Sequence, residues 1–275
     1  MDIRQCLTDL PLAGNNGKLI STMKIVRFAV TQKVRYGLLK GESVQTIEGK
    51  PFRYIKPTGK RYRLSEVKLL CPCTPSKIVA LGLNYRSHVE EIRFPLPEAP
   101  LLFLKPSTAV IGPEDNIVYP PSSKRVDYEC ELAVVIKKLA WRVPRENALD
   151  YVLGYTGFND VTARDLQVKD SQWTRAKGFD TFAAIGPCIE TKLDPGNVAL
   201  ATYLNGEIKQ HGNTSDLIFS VPELIFFISH VMTLLPGDVI ATGTPAGIGP
   251  MNPGDTVEVR IEPIGTLRNY VVKER

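Results

Sequence analysis

The amino-acid sequence predicts a mostly-β protein with some helix, that is, a protein of the α+β class. Its apolar segments are short and separated by turn-forming residues, with 21 glycines and 21 prolines in 275 residues, a pattern typical of strands joined by turns. Only the segments 144–152 and 220–234 have the pattern of helices. Since strands do not alternate with helices along the chain, the pattern argues against a doubly wound sheet.

The N-terminal part of the chain is predicted to consist of an extension and a small β-rich domain. Residues 1–22 are polar and weakly patterned, so we expect them to form an extension with little structure of its own. Residues 23–72 are interpreted as the β-rich domain, and the segment 71–75 as a linker. The strands predicted in this domain are 24–30, 34–40 and 42–47.

Residues 77–275 are predicted to form the larger domain. Helix 220–234 begins with Ser220 and Glu223 at the spacing of a capping box. Its apolar side chains recur at helical spacing and predict a face that packs on a core; they are Leu224, Phe227, Ile228, Val231 and Leu235. The strands predicted in this domain are 77–85, 101–105, 116–119, 129–138, 152–160, 239–244 and 256–262.

The composition argues against several classes of protein. Lys and Arg number 34 against 29 Asp and Glu, a net charge of +5, and this dispersed excess predicts no nucleic-acid binding. No apolar segment reaches the roughly 18 to 20 residues that span a membrane, and the N-terminus does not resemble a secretory signal. The 5 cysteines are odd in number and form no CxxC pair, which favours a reduced, cytoplasmic protein.

Three acidic residues lie at the start of an apolar strand that is expected to be buried on both faces at its end. Since side chains alternate along a strand, Asp127, Glu129 and Glu131 should point the same way. Glu129 and Glu131, with Asp160 from a second strand, would form an all-oxygen site for Mg²⁺, Mn²⁺ or Ca²⁺, with open positions for a chelating 2-oxo acid. The residues alone leave two alternatives open. The acids at the start of the strand could be solvated and need no ligand, and Asp160 could cap a following helix.

Three histidines occur in the chain, and one of them has a carboxylate at helical spacing. His88 lies three residues before Glu91, so the two could form a dyad in which the carboxylate orients the imidazole for proton transfer. The alternative is a surface histidine in a polar turn. His230, within the apolar helix, is expected to be packed or to flank the helix, and His211 is expected to lie in a loop without a role.

Two further segments contain candidate binding residues. Arg164, Asp165 and Gln167 follow Asp160 at near-helical spacing. The glycine-rich segment 241–249, ATGTPAGIG, lacks the spacing of a phosphate-binding loop. Its backbone amides and threonine hydroxyl could approach a small anion, or the segment could simply be a tight connection between strands.

Taken together, these segments resemble the fumarylacetoacetate hydrolase family. The resemblance covers about residues 77–272 and, more loosely, the N-terminal domain, whereas residues 1–22 match no block of the family. It implies a mixed β-roll for residues 77–275, a homodimer, and Mg²⁺ or Mn²⁺ as the cofactor. The matching blocks are LGLNYRSHVEE, FLKPSTAVIGP, VDYECELAVVI, GYTGFNDVTARDLQ, WTRAKGFDTFAAIGP, NGEIKQHGNTSDLIFSVPELIFFIS, LLPGDVIATGTPAGIGP and IGTLRN.

The resemblance also implies roles for individual residues. His88 and Glu91 match the dyad that activates water, and Lys177 matches an active-site lysine. Asp127 is left as a solvated or structural residue. The residues that match the divalent-metal ligands are Glu129, Glu131 and Asp160. The matches to polar residues expected to bind substrate are Arg164, Gln167 and Thr244.

The activity implied by the resemblance is enolate chemistry on a small 2-oxo or 1,3-diketo acid chelated by a metal ion. Because both dyad residues are present, we expect C–C hydrolysis or decarboxylation of an acylpyruvate-like or oxaloacetate-like substrate. One alternative is an isomerase or decarboxylase of 2-hydroxyhepta-2,4-diene-1,7-dioate or 5-carboxymethyl-2-hydroxymuconate in aromatic catabolism. Another is a metal-stabilised binding protein without turnover. The proline-rich segment 90–100 is expected to be a lid that moves Glu91 towards His88.

Overall fold

The described part of the protein is built from three β-sheets and a few short helices. The computed structural model describes residues 22–274, so the extension predicted for residues 1–22 lies outside the described residues except for its last position. Strands predominate over helices, which confirms the predicted α+β class. None of the helices in the described part of the chain is long and apolar enough to cross a membrane.

The strands are short, as the frequent glycines and prolines predict. In chain order they are β1 (Lys24–Val30), β2 (Lys33–Lys40), β3 (Ser43–Ile47), β4 (Pro57–Arg63), β5 (Lys68–Leu70), β6 (Lys77–Gly82), β7 (Leu101–Pro106), β8 (Val110–Ile111), β9 (Asn116–Tyr119), β10 (Val126–Tyr128), β11 (Cys130–Ile136), β12 (Val152–Asp160), β13 (Thr162–Ala163), β14 (Ala183–Glu190), β15 (Ala199–Leu204), β16 (Glu207–Asn213), β17 (Val239–Ala241), β18 (Gly249–Met251), β19 (Thr256–Ile261) and β20 (Gly265–Lys273). Several of these, including β14, β15, β16 and β20, are absent from the sequence-based prediction.

The largest sheet joins the N-terminal strands to the rest of the chain. Its 12 strands follow the order β4-β3-β2-β1-β14-β12-β11-β17-β6-β7, with β5 also paired to β1 and β8 to β14. The other sheets have the orders β16-β15-β19-β20-β9 and β13-β10-β18. Because β1 pairs with β14 through Lys24 and Glu190, the N-terminal strands extend this sheet. The division into domains between residues 72 and 77 stays a prediction.

The acidic segment at the start of β11 belongs to two sheets, and the prediction of one continuous strand through Asp127 and Glu131 is wrong. Asp127 lies in β10 of the three-stranded sheet, whereas Glu131 lies in β11 of the large sheet. The chain changes sheets at Glu129, whose backbone N–H donates to the side-chain oxygen of Asn159 over 3.0 Å. The side chains of Glu129 and Glu131 reach the same carboxylate cluster, which does not include Asp127.

Within residues 22–274, four α-helices and four 3-10 helices connect the strands. The α-helices are α1 (Arg86–Glu91), α2 (Arg164–Lys169), α3 (Thr174–Lys177) and α4 (Val221–Val231). The 3-10 helices are Leu64–Glu66, Ser107–Ala109, Arg145–Tyr151 and Thr214–Asp216. The predicted helix 144–152 is thus a 3-10 helix, and Ala148 is its one fully buried residue, so it lacks the apolar stripe that favours an α-helix.

Helix α4 has the predicted capping box but is shorter than predicted. The carboxylate of Glu223 accepts from the backbone N–H and hydroxyl of Ser220 over 2.8 and 2.6 Å. The helix ends at Val231 because Leu234 leaves it to pair with Ala140 in an isolated β-bridge. Val231 and Leu235 are consequently 59% and 41% exposed, and their predicted packing is wrong. The predicted burial of Leu224 and Ile228 is confirmed.

Strand β11 crosses the middle of the core and is buried on both faces, as predicted. Leu132 and Val134 face the apolar cluster that contains Ile228 of α4. Ala133 and Val135 face the cluster on the other side of the sheet. Because the strand cannot shift without exposing one of these faces, it holds Glu131 at its start in a fixed position.

Candidate metal and catalytic site

Three buried carboxylates meet where β11 and β12 lie side by side. One oxygen from each of Glu129, Glu131 and Asp160 lies within 4.8 Å of the other two. The antiparallel register, in which Cys130 pairs with Asn159, brings the start of β11 to the end of β12. Asp160 is the last residue of β12 and not the cap of the following helix, which is Ala163. The alternative that Asp160 caps a helix is therefore wrong.

Three cations surround the carboxylates. Lys177 of α3 donates from Nζ to Glu129 Oε2 over 2.9 Å and to Asp160 Oδ2 over 2.6 Å. The guanidinium of Arg164 contacts Glu129 Oε1. Lys105 donates to Asp160 Oδ1 and, over 3.0 Å, to the carbonyl oxygen of Val161. Each carboxylate except that of Glu131 thus has a cationic partner, which offsets the loss of hydration that burial causes.

Lys105 is a site residue that the sequence-based prediction missed. It lies in β7 at the edge of the large sheet and is completely buried. Burial, only partly opposed by Asp160, lowers the pKa of Lys105 to about 8. Lys105 lies two residues after Phe103, whose ring lies 5.0 Å from Lys177 Nζ. This spacing is the sequence signal that could have found it, since residues two apart in a strand share a face.

Glu131 leaves room for a positively charged ligand. Its Oε2 accepts from the backbone N–H of Gly243 over 2.8 Å, but its buried Oε1 has no hydrogen-bond partner among the described residues. Burial and the neighbouring carboxylates of Asp160 and Glu129 raise the pKa of Glu131 well above its usual value. An unpartnered carboxylate oxygen beside two further carboxylates is a donor set that fits a hard divalent cation such as Mg²⁺ or Mn²⁺.

The pKa of Glu129 is shifted in the opposite direction from that of Glu131. Although its burial favours the neutral form, the charges of Lys177 and Arg164 hold the pKa of Glu129 well below its usual value. Its Oε1 also accepts from the Thr162 hydroxyl over 3.2 Å. Glu129 therefore stays ionised, as a metal ligand must be.

The predicted dyad is formed within α1. His88 Nδ1 lies 3.0 Å from Glu91 Oε2, and Glu91 Oε1 accepts from the backbone N–H of Gly247 over 2.9 Å. His88 is buried and lines the cavity beside the carboxylates, so the alternative of a surface histidine is wrong.

The N-terminus of α1 is fixed to neighbouring segments. Asp216 Oδ2 accepts from the backbone N–H and hydroxyl of Ser87 over 3.0 and 2.5 Å. Asn84 donates from Nδ2 to the carbonyl oxygen of Thr242 over 2.8 Å. These contacts fix the end of the helix from which His88 projects.

A single cavity of about 320 Å³ contains most of the predicted site residues. Its lining includes Glu129 and five further polar side chains: His88, Arg164, Gln167, Lys177 and Thr244. The apolar part of the wall includes Phe103, Trp173 and Ile248. A cavity with converging charges and apolar walls is typical of a small-molecule site.

The glycine-rich segment 241–249 faces the site through its backbone. The N–H groups of Gly243 and Gly247 donate to Glu131 and Glu91, so they bind carboxylates of the protein itself. Gly243 has a φ of +97°, and a Cβ there would lie 2.9 Å from the Cβ of Asn84. The hydroxyl of buried Thr244 accepts from Gln210 Nε2 over 2.9 Å. The segment therefore supports the dyad and the carboxylate cluster together.

Asp127 does not belong to the carboxylate cluster, and the alternative that it is solvated is wrong. It is completely buried. Its Oδ1 accepts from Arg125 Nε over 2.8 Å and its Oδ2 from Arg164 Nε over 2.9 Å. A buried carboxylate with two guanidinium partners is a structural anion, the other role considered for it.

The remaining predicted features lie away from the cavity or stay untested. His211 lies in strand β16, not in a loop, and is exposed. His230 flanks α4 with its ring 4.5 Å from that of Phe226. The described cysteines are free and buried. In the segment 90–100, exposed Phe94 and Leu96 follow α1, and the movement expected of a lid stays a prediction.

Family comparisons cover most of the chain. Residues 77–272 match the family described as fumarylacetoacetate (FAA) hydrolase C-terminal. Residues 23–72 match the family described as Rv2993c-like, N-terminal. Neither of these two ranges includes residues 1–22.

Two curated relatives are similar over long stretches. Protein Rv2993c of Mycobacterium tuberculosis is 45% identical over 262 residues, which cover 92% of this chain and 99% of the relative. Oxaloacetate tautomerase FAHD2A, mitochondrial, of Bos taurus is 42% identical over 221 residues, which cover 76% of this chain and 70% of the relative. The similarity therefore extends across widely separated organisms.

Solved structures share the fold. That of 5-carboxymethyl-2-hydroxymuconate delta-isomerase from Mycobacterium smegmatis has a TM-score of 0.87 and 45% identity, covering 92% of this chain and 100% of that one. Maleylpyruvate hydrolase from Sphingobium sp. SYK-6, in complex with manganese(II) ion and pyruvate, has a TM-score of 0.77 and 30% identity, with the same coverage of 92% and 100%. These neighbours support an enzyme, but their names describe different reactions.

Proposed function

The chain belongs to the fumarylacetoacetate hydrolase family, and we propose that it is a divalent-metal-dependent enzyme that acts on 2-oxo or 1,3-diketo acids. The reaction proposed first is C–C hydrolysis or decarboxylation of an acylpyruvate-like or oxaloacetate-like substrate by way of an enolate. The observation that carries this proposal is the hydrogen-bonded pair of His88 and Glu91, of which His88 lines the same cavity as Glu129 of the carboxylate cluster.

We propose that Glu129, Glu131 and Asp160 hold the cofactor, Mg²⁺ or Mn²⁺. Support comes from their all-oxygen donor set, which suits these hard cations, and from the unpartnered, buried Oε1 of Glu131. When bound, the ion would supply positive charge beside the oxygen on which the enolate develops its negative charge.

His88 is proposed as the group that moves the proton. An ionised carboxylate can only accept a hydrogen bond, so Nδ1 of His88 carries the proton that faces Glu91, and Nε2 is free to accept another. In hydrolysis, Nε2 takes a proton from water while the water oxygen bonds to the distal carbonyl carbon. The C–C bond then breaks, its electron pair forms the enolate, and the imidazolium returns the proton to the enolate carbon.

The cations around the cavity are proposed to bind and stabilise the substrate anion. Lys177, fixed between Glu129 and Asp160, would place its ammonium beside the oxyanion that develops during the reaction. The side chains proposed to orient the substrate carboxylate are Arg164, Gln167 and Thr244, all of which line the cavity.

A second candidate is isomerisation or keto–enol tautomerisation without attack by water. It is favoured by the names of two similar proteins, the delta-isomerase and the oxaloacetate tautomerase. In this reaction His88 would remove a proton from one atom of the substrate and return it to another. Hydrolysis and isomerisation therefore share the same base and differ in whether water enters the cavity.

We further propose that the protein acts in the cytoplasm as a homodimer on a small-molecule 2-oxo acid, without a nucleic-acid or membrane partner. The family resemblance motivates the dimer, and the small cavity motivates the substrate size. The alternative from another class, a metal-stabilised binding protein without turnover, would retain the carboxylate cluster but would have no need of the dyad.

The test is turnover by metal-free protein, prepared with EDTA, before and after Mn²⁺ or Mg²⁺ is restored. Acetylpyruvate and oxaloacetate are supplied in turn, and acetate, pyruvate and carbon dioxide are measured. Metal-dependent cleavage of acetylpyruvate is expected for the hydrolase, and release of carbon dioxide from oxaloacetate for the decarboxylase. Loss of the enol absorbance of oxaloacetate without products would identify the tautomerase. No change in any substrate, with metal bound, would contradict the proposal of an enzyme.

A further inference from the structure

Asp127 joins two arginines just outside the carboxylate cluster. Its Oδ1 accepts from Arg125 Nε over 2.8 Å, and its Oδ2 accepts from Arg125 Nη2 over 3.1 Å and from Arg164 Nε over 2.9 Å. Asp127 is completely buried, whereas the side chain of Arg125 is 49% exposed. Because a buried carboxylate must be neutralised by its partners, Arg125 completes a cluster of two cations and one anion.

The backbone fixes this cluster in place. Asp127 is the middle residue of β10, where it pairs with Thr162 of β13 and with Pro250 of β18. Arg164 begins α2 directly after β13, and its backbone N–H donates to the carbonyl oxygen of Arg125 over 2.8 Å. The contact between Asp127 and Arg164 is thus set by strand register and does not depend on a flexible loop.

The contact leaves the outer end of the Arg164 guanidinium directed to the cavity. Nε is used by Asp127, while Nη1 contacts Gln167 and Nη2 contacts Glu129. A guanidinium is planar and rigid, so fixing Nε also fixes the plane in which both Nη groups lie. These Nη groups are the donors that a substrate carboxylate would meet, since Arg164 and Gln167 both line the cavity.

Two carboxylates therefore share one guanidinium, and only one of them belongs to the cavity. Glu129 is the proposed metal ligand, and a bound cation would compete with Arg164 for its charge. Without a second anion, Arg164 would be held by Glu129 alone and would keep that carboxylate from the cation. Asp127 supplies the second anion from outside the cavity.

We propose that Asp127 is a positioning residue that anchors Arg164 through Nε, so that the Nη groups stay directed to the cavity, where they would meet the substrate carboxylate. Arg125 contributes by leaving the three-residue cluster with a net positive charge, which keeps Arg164 attractive to an anion. The proposal rests on the proposed function in one respect, namely that Arg164 faces the substrate.

The test is a double-mutant cycle with Asp127→Asn and Arg164→Gln. The probe is oxalate, a dianion that resembles the enolate of a 2-oxo acid, and it is added to protein saturated with Mg²⁺. Binding is followed by the fluorescence of Trp173, which lines the cavity, in a Trp141→Phe background that removes the other tryptophan. KM and kcat are measured separately with the best substrate.

If Asp127 acts through Arg164, each single substitution should weaken oxalate binding by about tenfold, the value of one charge-assisted hydrogen bond. The double variant should bind no more weakly than Arg164→Gln alone, because coupled residues are not additive. KM should rise in Asp127→Asn with a smaller change in kcat. Oxalate affinity within twofold of the parent protein, or effects of the two substitutions that multiply, would overturn the proposal.

A matched control separates positioning from stability. Asp238→Asn changes another completely buried, salt-bridged aspartate, whose partner is Lys77. It should lower the thermal midpoint but leave oxalate affinity unchanged; loss of affinity here would overturn the proposal, because a general loss of stability would then explain both variants. If Asp127→Asn does not fold, Arg125→Gln replaces it. In Arg125→Gln the charges of Asp127 and Arg164 cancel, so this variant should bind oxalate at least about threefold more weakly than the parent protein. Unchanged affinity would overturn the proposal.

The outcomes also separate this inference from the proposed function. Oxalate binding requires no turnover, so the cycle can be completed even if no substrate is consumed. If substrate is consumed but the two substitutions weaken oxalate binding independently of each other, the proposed function is supported and the role of Asp127 is overturned. A coupled cycle without turnover would support the role of Asp127 in anion binding and contradict the proposed enzyme.

Discussion

At the scale of single residues, the site is a balance of buried charges. Glu129 and Asp160 each have cationic partners, whereas one oxygen of Glu131 has none among the described residues. One oxygen of each carboxylate in the cluster lies within 4.8 Å of the other two. Two ionised carboxylates at that distance repel each other by a few kcal/mol at an effective dielectric of 20. A bound cation would therefore stabilise the ionised form of Glu131 more than that of Glu129 or Asp160.

The first prediction concerns Glu131→Gln. Loss of a residue that only hydrogen-bonds to a metal ligand lowers metal affinity by about 10- to 100-fold, so loss of the ligand Glu131 itself should lower Mn²⁺ affinity by more. The stability of the metal-free protein should not fall, because Glu131 no longer repels the carboxylates of Glu129 and Asp160. Isothermal titration calorimetry measures the affinity. Glu190→Gln is the matched control, since Glu190 is also a buried glutamate with an unpartnered oxygen but lies in β14 away from the cluster. Equal Mn²⁺ affinity in the two variants would remove Glu131 from the ligand set.

The second prediction concerns His88→Ala. Loss of the proposed base should reduce kcat by about 10²- to 10⁴-fold and leave Mn²⁺ binding intact, because His88 is not among the carboxylate ligands. His211→Ala is the control, because His211 is an exposed histidine of β16. A rate that falls equally in both variants, or in neither, would be incompatible with the assigned role of His88.

At the scale of elements, some apolar elements were predicted, whereas the buried strand β14 and the polar strand β16 were missed. β11 and the capped start of α4 were predicted because their apolar residues recur with a clear period. β16, with the sequence EIKQHGN, has no such period. It lies at the edge of its sheet and forms a strand because it pairs with β15. Lys105 was missed for the related reason that its burial depends on Asp160, a residue 55 positions away.

Element boundaries at the site also depend on distant contacts. A local pattern treats residues 127 to 131 as one strand, but the chain changes sheets at Glu129 because β10 pairs with β13 and β18 while β11 pairs with β12 and β17. The proposed ligand set was nevertheless predicted, since the family blocks carry Glu129, Glu131 and Asp160, and the structure brings these three carboxylates together. The arginine partners of Asp127 were not predicted, because they are known only from the fold.

The third prediction concerns the link between β6 and β17. Asp238 accepts from Lys77 Nζ over 2.5 Å, from the backbone N–H of Ser76 over 2.9 Å and from that of Leu235 over 2.8 Å. Although burial opposes ionisation, the bonds from Lys77 and Ser76 lower the pKa of Asp238 below its usual value. Asp238→Asn should therefore cost about 1–3 kcal/mol of unfolding free energy at pH 7.

The sign of the pH dependence follows from the lowered pKa. A depressed folded-state pKa stabilises the protein above the unfolded value of about 3.9, and this contribution is lost as the pH falls through the folded-state pKa. Urea unfolding of the wild type and Asp238→Asn should thus differ at pH 7 and converge below about pH 4. Asp150→Asn, at an exposed site, should match the wild type throughout. A difference that grows on acidification would contradict this account of Asp238.

At the scale of the whole molecule, the N-terminal strands and the site share one large sheet. β1 pairs with β14, and β14 pairs with β12, whose last residue is Asp160. The apolar cluster that contains Val26 and Phe28 of β1 also contains Cys188 of β14. The N-terminal part therefore supports the strand at whose end the proposed metal ligand lies.

The fourth prediction is that the protein unfolds in one transition. Because the sheet and its core are continuous across the proposed domain boundary, unfolding in urea should be two-state. Far-UV circular dichroism follows all strands, and tryptophan fluorescence follows Trp141 and Trp173, which lie outside the N-terminal part. Coincident transitions are expected; an earlier loss of circular dichroism would show that the N-terminal strands unfold independently.

The central claim is that the carboxylate cluster and His88 together form an enolate from a 2-oxo acid. The most direct measurement is deuterium exchange at the methyl group of pyruvate in D₂O, followed by proton NMR with Mg²⁺ present, with Mg²⁺ removed by EDTA, and with His88→Ala. Enolate formation predicts exchange that requires both the metal ion and His88. No exchange by wild-type protein that demonstrably binds both Mg²⁺ and pyruvate would contradict the claim and favour a binding protein without turnover.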